Sequence, residues 1–149
     1  MTATTEHHQP VGFLRRLGAL FYDSLLFGGT VFIVGGILAT LVSRWLGLEN
    51  IPPGSTAANL LFVSYIGLLF LLFGWFWTHG GQTLGMRAWK IRIVSSDGNP
   101  ITWQQALFRF ICALFSWAAF GAGFLIAIFD PERLTWHDRF SRTRLIRIH

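Results

Sequence analysis

Charge is scarce in this chain: Asp, Glu, Lys and Arg make up only 13% of its 149 residues. A soluble domain carries about 25%. So few charges cannot cover a water-facing surface, which excludes an ordinary soluble globular domain and leaves lipid as the simplest solvent. Cysteine is nearly missing too. Cys112 is single and sits in an apolar run, so no internal disulfide forms, and it reads as a small packing residue. The usual machinery of catalysis is also missing. Gly80-Gly-Gln-Thr-Leu-Gly85 is glycine-rich but lacks the GxxxxGK[ST] phosphate loop. His7 and His8 are adjacent, with no third residue to close a metal site. No serine or cysteine has a plausible base beside it. His137 and Asp138 are neighbours, but adjacent helical residues diverge by about 100°, a poor geometry for a dyad. Thr135 to Asp138 is more simply the cap of a short amphipathic helix. These absences argue against an enzyme and imply no cofactor and no metal.

Long apolar runs are what the chain has instead. Met1 to Pro10 is polar and reads as a disordered tail, leaving residues 11–149 as one membrane domain. Leu17 to Val42 is the first run, and as a helix it would span about 39 Å against a ~30 Å hydrocarbon core. Arg15 and Arg16 precede it as in a signal peptide, but it is too long for one and no small-x-small cleavage site closes it, so it reads as a retained helix. Ser43 to Thr56 is a connection stopped by Pro52, Pro53 and Gly54. Ala57 to Trp77 is the second span, uncharged, with Trp75 and Trp77 expected as interfacial anchors. Leu107 to Phe129 is the third run, holding Arg109 near its start and interrupted by Gly121 and Gly123. Between the second and third runs, Lys90 to Val94 alternates and is rich in branched residues, as a strand would be. Asp97-Gly98 is a turn signal, and Thr102-Trp-Gln-Gln105 has the form of a capping box that opens a helix. Arg144 to Ile148 repeats the strand pattern. It should pair with Lys90 to Val94, because a lone strand leaves its backbone groups without partners.

The net charge of +5 would suggest nucleic acid in a soluble chain. Here the basic residues flank the apolar runs without any RNA-module aromatic motif, which points to anionic lipid heads on a cytoplasmic face and not to nucleic acid. Two basic residues precede the first run, one lies in the first connection, three in the middle stretch and five in the C-terminal tail. If all three runs cross, the two sides carry five and six, and no orientation results. If the third run enters and returns, one side carries ten against one. The positive-inside rule favours the second arrangement, with both termini and the middle stretch in the cytoplasm. A break at Gly121-Ala-Gly123 permits it, although two half-helices would each reach only about 17 Å. The expected architecture is therefore an all-α integral membrane protein. It has two transmembrane helices, a third broken or re-entrant segment and a small cytoplasmic two-stranded β element.

Charges inside apolar runs are the candidate functional residues. Asp23 falls about 9 Å into the first run, where an isolated carboxylate costs roughly 2.5–3.5 kcal/mol on insertion scales. It needs a partner, a water-filled space or a proton. Arg16, seven residues earlier and on the same helix face, is one expected partner, and Arg109 is the other. Two readings of Asp23 stand side by side: a tie between helices, and a site that binds a cation or carries a proton. Gly28, Gly29, Gly35 and Gly36 recur at a seven-residue spacing, as do Gly67 and Gly74, and would let helices approach within one chain or between copies.

The sequence resembles the RDD family of small bacterial membrane proteins, named for one arginine and two aspartates. The resemblance lies in Gly12-Phe-Leu-Arg-Arg-Leu17, Tyr22-Asp23, Gly81-Gln-Thr-Leu-Gly-Met-Arg87, Lys90 to Val94, Asp97-Gly98 and Trp136-His-Asp-Arg-Phe-Ser-Arg-Thr143. Ser141 and Arg142 depart slightly from it, where relatives often have small residues. The resemblance implies that Arg16 is the family arginine, Asp23 the first aspartate and Asp138 the second. It implies a multi-pass protein of the bacterial cytoplasmic (inner) membrane whose function is poorly defined, with transport suspected. One function reading is transport of an ion or small solute, as a homo-oligomer because one copy has too few helices to enclose a path. The alternative is a non-catalytic accessory that binds another protein through its cytoplasmic sheet and basic tail.

Overall fold

The computed structural model describes residues 11–119 and 121–148, the side chain of residue 124 excepted. The expected disordered tail at 1–10 lies outside the described residues. The first run forms α1, Phe13–Trp45, longer at both ends than its apolar stretch. Arg15, Arg16 and Arg44 are good helix formers, so the helix continues past the point where hydropathy stops. At about 1.5 Å per residue α1 is roughly 50 Å long. The second run forms α2, Thr56–Thr78, opened by Ser55, whose side chain caps the Ala58 N–H. Among the described residues these are the two helices long and apolar enough to cross a membrane. Their outer faces remain apolar and bare, with Phe32 83% exposed and Ile33, Ile37, Leu60 and Val63 all exposed. Apolar faces of that extent mark surfaces that meet lipid or another protein.

α1 and α2 pack through Phe27, whose ring sits 4.4 Å from that of Phe73 and 5.9 Å from that of Phe76. Further along, the Tyr65 hydroxyl donates to the Gly35 carbonyl at 2.8 Å. The glycine pattern is used only in part. Gly35 meets Tyr65 and Gly74 meets Trp103, whereas a side chain at Gly28, Gly29, Gly36 or Gly67 would touch nothing within 4 Å.

The remaining elements are shorter and follow α2 in the chain. A short helix α3, Leu84–Ala88, leads into β1, Ile91–Ser95. β1 pairs antiparallel with β2, Thr143–Arg147, in the register Ile91↔Arg147 to Ser95↔Thr143. The expected pairing is present, with both strands one residue off the expected bounds. The second edge of β1 is occupied as well, since Ile93 N–H donates to the Gly81 carbonyl and Gln82 donates to the Ile91 carbonyl, both at 2.7 Å. Ile91 and Ile93 point into a core shared with Val11, Ala19, Met86 and Leu145.

The third run does not make one helix. The Thr102–Gln105 capping box starts α4, Trp103–Ala118. The chain breaks at Gly121, which takes the left-handed backbone (φ +80°) that glycine adopts without steric cost, and resumes as α5, Ala122–Phe129. At about 24 and 12 Å neither piece could cross a ~30 Å core. The start of α4 is bonded to the strand pair, where Gln105 donates to Ser95 Oγ at 3.1 Å. Ile128 near the end of α5 lines a hollow that Arg147 of β2 also lines. The segment is thus a bent pair of helices. A last short helix, α6 (Trp136–Phe140), sits between α5 and β2.

Trp77 departs from its expected place as an interfacial anchor. It is only 6% exposed and packs 5.3 Å from Phe73, because α4 covers the face it lies on. Trp75 is 57% exposed and stacked on His79.

Candidate functional site

The four charged residues singled out in the sequence are all buried and lie at one end of the molecule. Asp138 is the centre. It is the third helical residue of α6, and its carboxylate accepts the Thr135 N–H at 3.0 Å while the Thr135 hydroxyl accepts the Asp138 N–H at 3.2 Å. The capping box read from the sequence is therefore present, and it holds the carboxylate independently of the two arginines. Arg16 Nη1 from α1 then donates to Oδ2 at 2.6 Å, and Arg109 Nη1 from α4 donates to Oδ1 at 2.5 Å. Arg16 also donates through Nη2 to the Arg133 carbonyl at 2.7 Å. Arg109 also donates to Thr143 Oγ1 on β2 at 2.8 Å, and its guanidinium lies 5.6 Å from the Trp77 ring centre. One carboxylate, 1% exposed, thus ties α1, α4 and α6 together.

Electrostatics keep that carboxylate charged. Burial alone would raise the Asp138 pKa, but the Arg109 and Arg16 guanidinium groups outweigh it and hold the carboxyl well below its ordinary value. His137, beside it, is affected in the other sense. Burial first, then the positive charges of Arg109 and Arg16, push its pKa down to about 3, so it is neutral at pH 7.

Asp23 does not join this cluster. The expectation of Arg16 or Arg109 as its partner is corrected by the structure, because both arginines are committed to Asp138. Asp23 instead accepts the Thr83 hydroxyl at 2.5 Å and the Gly85 N–H at 2.8 Å. Thr83 is the N-cap of α3, and its oxygen also accepts the Met86 N–H. The carboxylate thus adds a second, external cap to α3, satisfying donors that a helix start leaves open. The approach is close: a Cβ at Gly85 would collide with the Ala19 carbonyl and fall 2.8 Å from the Asp23 carboxyl. Thr83 and Gly85 were missed as functional partners in the sequence. The sign available there was a threonine opening a short helix within the glycine-rich stretch. Thr143 and Trp77, which hold Arg109 in place, carried no sequence signal.

Between α1, α2 and α4 lies a cavity of about 380 Å³. Its walls are apolar, including Phe27, Phe73, Phe110 and Trp117, while Arg16, Asp23, Arg109 and His137 line its polar part. Arg16 and Asp23 reach it together because seven residues are nearly two helical turns, as the same-face reading required. Among the described residues no group of three His, Cys, Asp or Glu side chains could hold a metal ion.

Comparison with known proteins gives the chain a context. The family model described as "RDD family" matches residues 10–142. An uncharacterized protein of Bacillus subtilis (strain 168), YckC, is 30% identical over 143 residues, covering 91% of this chain and 83% of that protein. No solved structure matches.

Proposed function

The chain belongs to the RDD family, and on that premise we propose that it moves an ion or a small solute across the bacterial inner membrane as a homo-oligomer. The observation that carries this reading is Asp23: a carboxylate on a membrane-length helix, 3% exposed, lining a cavity of about 380 Å³ together with two arginines. Intramembrane carboxylates of this kind commonly bind cations or relay protons. Two spans cannot enclose a path alone, so copies would combine around the cavity. In this reading α1 and α2 cross the bilayer, and α4 and α5 dip in and return. The sheet, α6 and both termini lie on the cytoplasmic side against anionic lipid heads, as the ten-to-one distribution of basic residues favours. No catalytic role is assigned to any residue and no cofactor is invoked.

Proteoliposomes holding the purified chain test this directly, with a panel of monovalent and divalent cations and an imposed pH gradient. Asp23→Asn is expected to insert normally and to lose the flux. The transport reading is abandoned if the wild-type chain moves none of the cations or protons above empty liposomes, or if Asp23→Asn keeps full flux at every pH.

One observation favours the second reading, a non-catalytic accessory that engages a partner protein. Asp138 and Asp23 both have their hydrogen bonds filled from within the chain, which suits a fastener better than a binding site. A partner recovered from detergent extracts by the full chain, and lost when the exposed Arg142 and Arg147 are replaced, would support it.

A further inference from the structure

A second hollow, about 610 Å³, opens at the foot of α1 and is built differently from the first. Arg15 from α1, Arg133 from the loop after α5 and Arg147 from the end of β2 converge on it, and among the described residues no Asp or Glu lines it. The ion pairs among the described residues engage Arg16, Arg109 and Arg139 and leave these three cations out. Arg15 gives one hydrogen bond, to the Trp89 carbonyl at 3.2 Å. Arg133 is fixed at its root: its backbone is left-handed (φ 55°), and its carbonyl is gripped by Arg16. The cluster around Asp138 therefore positions this second site. The start of α1 adds to the positive potential, having no acidic residue in its first turn and no side-chain cap from Gly12.

The rest of the wall is apolar, formed by Phe13, Leu14 and Ile128. Leu14 is 76% exposed, and the stripe continues along α1 through exposed Leu17 and Phe21. Three arginines with no ion pair among the described residues, adjoining an apolar stripe on a membrane-length helix, call for a ligand with an anionic head and a hydrocarbon tail. Guanidinium groups match phosphate oxygens in planar, bidentate geometry. We propose that this hollow binds one anionic phospholipid, its phosphodiester held by Arg15, Arg133 and Arg147 and an acyl chain lying along Leu14, Leu17 and Phe21. The proposal rests on the membrane reading above but not on transport. A free phosphate shares the head-group chemistry but makes no use of the apolar wall.

Native mass spectrometry of the delipidated full chain tests it, by titration with phosphatidylglycerol and with phosphatidylcholine. The first phosphatidylglycerol should bind about tenfold or more tightly than phosphatidylcholine, given what each basic residue contributes near an anionic surface. Arg133→Gln with Arg147→Gln should bring the two lipids level while the melting temperature holds, because both side chains are exposed. Arg15→Gln alone should lower the preference, and Arg44→Gln, at the far end of α1, should leave it intact. Equal binding of the two lipids by the wild-type chain overturns the proposal, as does a preference that survives in the double variant. Displacement of phosphatidylglycerol by equimolar glycerol 3-phosphate would overturn the lipid assignment in favour of a free phosphate. A chain that stays soluble without detergent would instead sink the membrane reading, and this inference with it.

Discussion

Arg16 donates to Asp138 at 2.6 Å across 122 positions of the chain. That bond joins the first turns of the longest helix to the short helix preceding the last strand. Because Arg109 binds the other oxygen of the same carboxylate, α1 and α4 are held to one point. Burying ions is expensive, so such a cluster can be worth little beside an apolar replacement, yet removing one member leaves uncompensated charge in a dry place.

Asp138→Asn should therefore cost about 3–5 kcal/mol, since it strands two buried guanidinium groups at once. Arg109→Met leaves the Arg16–Asp138 bond in place and should cost less. Thermal unfolding in a mild detergent, followed by tryptophan fluorescence, ranks the two. An Asp138→Asn chain as stable as wild type would remove the cluster from any structural role.

Asp23 gives a different profile because its partners are neutral. Asp23→Asn retains an acceptor for the Gly85 N–H, and the Thr83 hydroxyl can turn, so the loss should be within about 1.5 kcal/mol. Asp23→Leu leaves both donors without an acceptor and should cost about 1–3 kcal/mol for each. Gly85→Ala should be as harsh as Asp23→Leu, because the added methyl meets the Ala19 carbonyl and the Asp23 carboxyl. Chemical unfolding of the three variants checks the order; Asp23→Leu matching Asp23→Asn would rule out the capping role.

The folded state should weaken as the medium turns acidic. His137 remains neutral in the fold down to about pH 3, whereas an unfolded histidine takes up a proton near 6.5. A depressed folded pKa makes stability full above 6.5 and progressively lost as the pH falls towards 3, at about 1.4 kcal/mol per unit. Asp138, held below its ordinary 3.8, acts in the same direction once the unfolded carboxylate begins to protonate. Melting temperatures measured from pH 7.5 to 4.5 should fall steadily, and His137→Gln should flatten that slope whatever its absolute stability. A wild-type curve level across this range would contradict the buried, neutral histidine.

Topology follows from labelling. In a Cys112→Ala background, single cysteines at Ser96 and Ser55 should react oppositely with an impermeant thiol reagent in intact cells. Ser55, in the connection with one basic residue, should react from outside, and Ser96 only after the membrane is opened. Labelling of Ser96 from outside would reverse the orientation that the basic residues favour.

Much of this architecture was legible in local signals. Strand pairing could be read because two isolated alternating segments leave backbone groups that only each other can satisfy. The Thr102–Gln105 and Thr135–Asp138 caps and the break near Gly121 were legible because turn and cap chemistry is short-range. The charged residues themselves were legible too, since Arg16, Asp23 and Arg109 stand in or beside apolar runs and Asp138 follows from the family resemblance. Their pairing was not. Proximity along α1 favoured Arg16 for Asp23, but a carboxylate takes whichever donors the fold brings to it. Here α3 brought a hydroxyl and an amide to Asp23, while the preorganised cap on α6 drew both arginines. Trp77 went inside for a related reason: a tryptophan at a helix end is an anchor only where no neighbouring helix covers it.

The span between Arg16 and Asp138 also sets a timetable. A ribosome adds about 5–20 residues per second, so the first helix waits on the order of ten seconds for the carboxylate that will neutralise its arginine. During that interval Arg16 and then Arg109 have no Asp138 carboxylate to bind. Settling of the earliest-made helix is thus postponed until nearly the last residues emerge. A nascent chain interrupted before α6 stays electrically incomplete, however well its two long helices have formed.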